Sequence, residues 1–189
     1  MENLINYIQA KVRLTSSDKE LISDCFVSEK VPAQTLLLKE GNVERFIYFL
    51  EKGIVKGYQN IDGKIVVQHL VEENDIFTSL DSFMTETSAN DYYETITECQ
   101  VVKISKKDFT RLQTKTTFWT QFVKEVTNEH LNCKMERVKD FQLLTAKERY
   151  LKFVNQHPKL VAGVSIDNIA SFLGMEPQSL SRIRKQIVF

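Results

Sequence analysis

Glycine, proline and cysteine are all scarce in this chain of 189 residues, which holds six, three and three of them. So little Gly and Pro leaves small room for long flexible linkers. The cysteines, Cys25, Cys99 and Cys133, are odd in number, widely spaced and form no Cys-x-x-Cys pair. A disulfide framework, a structural zinc site and a four-thiolate iron–sulfur cluster therefore lack support, and no cofactor or metal is expected. No apolar run approaches the roughly 20 residues needed to span a bilayer. The N-terminus, Met-Glu-Asn-Leu-Ile-Asn, has neither the basic region nor the apolar core of a signal peptide. Together these absences read as a cytoplasmic protein with no membrane partner. Net charge is lacking too: 25 Lys and Arg balance 25 Asp and Glu, a total that by itself argues against a nucleic-acid partner.

A hydrophobic fraction of 42% and a charged fraction of 26% place the chain among globular proteins, and its length suits one large domain or two small ones. The first thirty residues have helical spacing. Leu4, Ile5 and Ile8 form one apolar stripe, and Ser17-Asp18-Lys19-Glu20 offers a capping box ahead of Leu21, Ile22, Cys25 and Phe26. The texture changes at Val31-Pro32. Short β-rich runs follow at 35–38, 46–50, 54–59, 65–71, 94–97 and 101–104, and Asn60-Ile61-Asp62-Gly63 between two of them predicts a hairpin. Many short strands with regular turns predict an antiparallel barrel or sandwich.

Helical patterning returns after Ser105, an N-cap for a short helix through Phe109 and Leu112. The stretch from Thr117 to about Leu143 contains no Gly or Pro and carries Phe118, Phe122, Val126, Leu131, Met135 and Val138 as a drifting apolar stripe. A helix of this length offers more apolar surface than a small barrel can cover, so pairing with a second copy is expected, although His130 and Asn132 make the seam imperfect. Thr145-Ala146-Lys147-Glu148 forms another capping box, for a helix that stops at His157-Pro158. The predicted divisions are a sensor roll with its N-terminal helices over 1–115, a dimerisation helix over 116–143 and a C-terminal reader over 144–189.

The final segment, from Ser165 to Ile187, is the most informative. Ser165 caps a helix with Asp167 in its first turn, and Ala170 is small enough to let a second helix cross closely. Gly174 supplies a left-handed turn, and Pro177 suits the first position of the next helix. There Leu180, Ile183 and Ile187 share one face, while Gln178, Ser179, Ser181, Arg182, Arg184 and Lys185 share the other. This spacing is that of a helix-turn-helix with its second helix suited to the major groove of double-stranded DNA. Gln and Arg side chains pair with adenine and guanine edges, whereas Ser, Lys and further Arg anchor phosphates.

The succession of β-roll, long helix and helix-turn-helix resembles the Crp–Fnr family of bacterial transcription regulators, relatives of the cAMP receptor protein. Leu37-Leu38-Lys39-Glu40-Gly41 and Leu50-Glu51-Lys52-Gly53-Ile54-Val55 are similar to the family's roll elements, as Ile169-Ala170-Ser171-Phe172-Leu173-Gly174 and Ser179-Leu180-Ser181-Arg182-Ile183 are to its reader. The resemblance spans nearly the whole chain. It implies an α+β architecture, with an N-terminal antiparallel β-roll of cyclic-nucleotide-binding type, a dimerisation helix and a DNA-binding domain. It further implies a homodimer acting on pseudo-palindromic DNA, with RNA polymerase as a partner.

The resemblance also has gaps. Family members that bind cyclic nucleotides use Gly-Glu for the ribose and, some ten residues on, Arg followed by Ser or Thr for the phosphate. Thr78-Ser79 and Ala89-Asn90 stand at those places here, and no Lys or Arg lies between Lys64 and Lys103. A buried phosphate without a cation is poorly compensated, so control by cAMP through the usual cassette is not expected. The loop can line a pocket for another small-molecule effector, with Thr78, Ser79, Ala89, Asn90, Tyr92 and Tyr93 as contacts, or be a vestige with none. The sequence stops at Phe189, so the β-hairpin wing of many members is expected to be largely missing. Pro177-Gln178 replaces a frequent Arg-Glu pair, which predicts a different DNA preference. The alternative is a ligand- or protein-binding module whose helix-turn-helix makes protein contacts. An enzyme is disfavoured, because His69, His130 and His157 are scattered and none has a metal- or triad-type partner at a useful spacing.

The neutral total is an average of opposed halves. Residues 1–115 hold 14 basic and 18 acidic side chains, whereas 116–189 hold 11 and 7. An acidic roll with a basic reader suits approach to a phosphate backbone.

Overall fold

The computed structural model describes residues 1–187. Two helices open the chain, α1 (Glu2–Gln9) and α2 (Ser16–Cys25). The cap of α2 is Thr15 rather than the expected Ser17: its hydroxyl accepts the backbone N–H of Asp18, whose carboxylate takes the Thr15 N–H in return. The expected helix through Phe26 ends one residue earlier. Phe26 instead begins β1 (Phe26–Val31), pairing with Ile104, and only the first and last residues of β1 are buried. An edge strand with four exposed residues in a row lacks the alternation that announces a strand.

The remaining strands are β2 (Leu36–Leu38), β3 (Phe46–Lys52), β4 (Val55–Ile61), β5 (Lys64–Val71), β6 (Asp75–Phe77), β7 (Tyr92–Thr95) and β8 (Cys99–Ser105), with α3 (Leu80–Thr85) between β6 and β7. They form two antiparallel sheets, ordered β1-β8-β3-β6 and β2-β7-β4-β5. The predicted hairpin joins β4 to β5. Asp62 and Gly63 both have positive φ (52° and 86°), the two-residue turn whose twist matches the strands it joins.

Between the sheets lie Leu38, Tyr48, Leu50, Val55, Val71, Phe77, Tyr93, Cys99 and Val101. The other face of the first sheet, through Phe49, Val102 and Ile104, packs under α1, α2, α4 (Lys106–Lys115) and the start of α5 (Phe118–Leu143). Apolar cover on both faces explains why β3 and β8 read as nearly continuous hydrophobic runs.

The α5 helix leads two lives. Phe118, Phe122 and Val126, read from sequence as part of a dimer seam, are buried in their own chain's core beside Trp119. Aromatic side chains here reach back under the first sheet, so intrachain packing takes the helix as far as its third turn. Leu131, Met135 and Val138 remain open, at 54%, 62% and 56% of full exposure. Lys11–Glu129 and His130–Asp75 pairs tether the middle of α5 to the turn after α1 and to β6.

Candidate nucleic-acid interface

The C-terminal helices are α6 (Ala146–Gln156), α7 (Pro158–Gly163), α8 (Ile166–Phe172) and α9 (Pro177–Gln186). Each begins where the local sequence supplies a start. Thr145 and Glu148 form a reciprocal capping box for α6, Ser165 accepts the Asn168 N–H at the head of α8, and prolines open α7 and α9. The turn between α8 and α9 rests on Gly174, whose φ is +64°. An L side chain is strained there, and a Cβ would stand 2.5 Å from the Phe141 ring. Ala170 and Leu180 are fully buried, in one cluster with Ile54, Tyr150, Phe153, Leu160, Val164, Ile169 and Leu173. That placement of a small residue on the first helix and a leucine on the second is what a close helix crossing requires.

With Leu180 turned inward, α9 presents Gln178, Ser179, Arg182, Arg184 and Lys185 to solvent, while Ser181 is half-buried. Ser165 is exposed at the N-terminus of α8. Among the described residues no ion pair engages Arg182, Arg184 or Lys185, whereas Lys11, Lys56, Lys103, Lys152 and Lys159 all have carboxylate partners. These three cations are open to solvent and free to meet an acceptor from outside the chain. The geometry is an exposed helix face with Gln178 in its first turn, Arg182 at its centre and Arg184 and Lys185 in its last turn, of a form that can enter a groove and bind phosphates.

The second candidate, at the α3 loop, is differently built. Ser79 is buried and donates to Asp91 at 2.9 Å, and Tyr93 is buried with its hydroxyl donating to the Thr78 carbonyl at 3.1 Å. The Thr78 hydroxyl donates to the Phe46 carbonyl. Ala89 is buried, and its backbone pairs with Gly41 and Asn42. Tyr92 stacks on Tyr58 with centroids 5.0 Å apart, and Asn90 is exposed. The Tyr93 ring lies so close to the Gly57 backbone that a Cβ on Gly57 would stand 2.8 Å from it. The six residues thus lie near one another, but most of their polar groups are spent inside the chain.

Sequence reasoning passed over two charged residues. Glu44 lies buried beside α3. One carboxylate oxygen accepts the N–H groups of Arg45 and Phe46, the other makes no well-formed hydrogen bond, and burial pushes its pKa up to about 7. Arg137 of α5 reaches both the roll and the reader. Neither carries a local motif, and each stands beside another charged residue, Arg45 or Glu136, so nothing nearby in the sequence marks it as turned inward. His69 is pushed down to about 4, first by burial and then by Lys134 and Arg137, and so stays neutral at neutral pH. No group of three or more His, Cys, Asp or Glu is placed to hold a metal among the described residues, and no helix there is long and apolar enough to cross a membrane.

Residues 28–116 match the cyclic nucleotide-binding domain family. No curated protein matches the chain. Solved structures do. FixK2 from Bradyrhizobium japonicum superposes with a TM-score of 0.73 at 16% identity, over 85% of this chain and 83% of that one. The c-di-GMP-responsive global regulator CLP of Xanthomonas campestris gives 0.69 at 14% identity, over 91% of each chain. A Eubacterium rectale protein assigned to the crp/fnr family gives 0.70 at 13% identity, over 92% of this chain and 83% of its own. At these identities the likeness is one of fold.

Proposed function

We propose that this chain, which carries a cyclic nucleotide-binding-type domain at residues 28–116 within the Crp–Fnr fold, is a DNA-binding transcription regulator acting as a homodimer on pseudo-palindromic DNA. The observation that carries the reading is the exposed face of α9, with three cations that lack partners among the described residues, on a second helix set by Gly174. Gln178 and Arg182 read base edges in the major groove. Ser165, Ser179, Ser181, Arg184 and Lys185 hold phosphates on either side.

The open half of α5 supports the dimer. Leu131, Met135 and Val138 follow one another at spacings of four and three, as a two-helix seam requires. RNA polymerase is a further partner in this reading. The division of labour is a roll over 1–115, a dimer helix over 116–143 and a reader over 144–189. The roll is not governed by cAMP through the usual cassette, because no Lys or Arg between Lys64 and Lys103 meets a cyclic phosphate. Any effector is of another kind.

Binding measured by fluorescence anisotropy on pseudo-palindromic duplexes tests this. Arg182→Ala is expected to cost about 1–3 kcal/mol and to relax preference at one base position, whereas Lys185→Ala weakens all sequences alike and lowers the salt slope by about one. Absence of salt-dependent binding, or binding indifferent to Arg182→Ala, would overturn the assignment.

A further inference from the structure

The reader touches the roll along the free edge of the second sheet. β5 stands at the end of that sheet, so the side of the strand away from β4 has no strand partner. The last turn of α8 covers it. The Ser171 hydroxyl accepts the N–H of Val67 at 2.9 Å and donates to the Ile65 carbonyl at 3.2 Å. One side chain from the long helix joins the same place. Arg137 donates through Nη1 to the Gln68 carbonyl of β5 at 2.6 Å and through Nη2 to the Phe172 carbonyl of α8 at 2.7 Å. Its guanidinium also lies 4.1 Å from the Phe172 ring centroid and 5.5 Å from that of Phe141. Roll, long helix and reader therefore meet on a single planar cation.

The surroundings extend the joint. The Phe141 ring packs on Gly174, the glycine that sets the angle between α8 and α9. Arg149 of α6 lies over the same ring at 5.1 Å and donates to the carbonyls of Leu173 and Leu144. Residues 171–174, the end of α8 and the start of the turn, are thus held from outside by α5, α6 and β5. Phe172 closes α8, where carbonyls lack intrahelical donors and a cation is favoured.

We propose that Arg137 is a positioning residue that fixes the recognition helix relative to the roll and the long helix, and so sets which spacing of DNA half-sites the dimer accepts. The inference rests on the DNA-binding reading above. A guanidinium presents two donors in a rigid fork and can span two carbonyls on different elements, which the single point charge of a lysine does not reproduce. Its acceptors here are carbonyls, and burial lowers its pKa. An apolar side chain would fill this position at less desolvation cost but would hold neither carbonyl, so what the arginine adds is geometry. The lever is short. An α9 of ten residues is about 15 Å long, and a modest tilt at Gly174 shifts its tip against the next half-site. In a dimer that error enters twice, once from each reader.

The test uses the full chain as wild type, Arg137→Met and Arg137→Lys, with far-ultraviolet circular dichroism to establish that each variant folds. Hydrogen exchange without DNA is measured over residues 64–71 and 166–176. Arg137→Met is expected to speed exchange in both segments, and Arg137→Lys to do so less. Duplexes whose half-site spacing is changed by a base pair in either direction are then titrated. The wild type is expected to prefer one spacing by about tenfold, the preference to flatten in Arg137→Met, and affinity for an isolated half-site to stay unchanged. Faster exchange with an unchanged spacing preference would reduce Arg137 to a structural contact and overturn the proposal. Unchanged exchange in both segments would overturn the joint itself, whether or not DNA binds. Wild-type failure on every duplex would instead sink the functional reading, with the exchange result still deciding the joint.

Discussion

Leu180→Ala is expected to destabilise the reader by about 2–5 kcal/mol, the range for emptying a fully buried leucine site. Leu180 has no exposed surface and packs in one cluster with Tyr150, Phe153, Leu160, Val164, Ile169, Ala170 and Leu173, to which the roll adds only Ile54. Four helices of the reader contribute to that cluster, so relaxation around the hole requires several of them to move together. The effect should be local. Trp119, the only tryptophan, lies in a separate cluster with Phe26, Phe109 and Phe122 beneath the first sheet. Urea unfolding followed by helical circular dichroism should therefore begin at lower denaturant in the variant, with the tryptophan fluorescence transition shifted less. DNA binding should fail alongside the early transition. A loss below about 1 kcal/mol, or two transitions that move together, would show that Leu180 does not anchor an independently stable reader.

Glu44→Gln should have the other large effect, and one that depends on pH. Glu44 is buried, its second carboxylate oxygen makes no well-formed hydrogen bond, with only the Ser79 N–H near it, and its pKa rises to about 7 from an ordinary 4.5. Burial is the leading cause, opposed by backbone N–H groups from Phe46, Arg45 and Ser79. Because the folded pKa lies above the unfolded one, the folded chain holds the proton more tightly. The stability this contributes is present below about pH 4.5 and lost as the pH rises through 7. A glutamine keeps an oxygen for the two N–H groups and never ionises. The stability of Glu44→Gln relative to wild type is therefore expected to rise by about 3 kcal/mol between pH 4 and pH 8. His69 acts in the opposite sense: with its pKa near 4, it weakens the fold as pH falls through the range from 6.5 to 4. The two trends offset each other in the wild-type profile, so the difference between the two proteins is the quantity to measure. A difference that does not change with pH would mean that Glu44 is not desolvated as described.

The parts of this fold legible in the sequence were those fixed by a few neighbouring residues. Asp62-Gly63 announced its hairpin, Thr145 and Glu148 their capping box, and Ala170 and Gly174 the crossing of α8 and α9. Less local features escaped. Phe26 looked like the end of a helix because β1 is an edge strand with four exposed residues in succession. The three residues of β6 and the six of α3 are too short to carry a period. The apolar stripe of the long helix is continuous in sequence, although its first three members belong to the core under the first sheet. No pattern within the helix could separate them, because a core and a partner helix ask for the same side chains. The charged residues at the joint were the least visible. Arg137 bridges Gln68 and Phe172, partners 69 and 35 positions away in sequence, and only the folded chain brings them to one guanidinium.

Selection from a random duplex library by the purified 189-residue chain tests the central claim most directly. A dimer whose recognition helices enter successive major grooves should enrich an inverted repeat with half-site centres about one helical turn, or roughly 34–36 Å, apart. Arg182→Ala should relax one position in each half-site of that repeat. Recovery of no common motif, or of a single unrepeated half-site, would contradict the account.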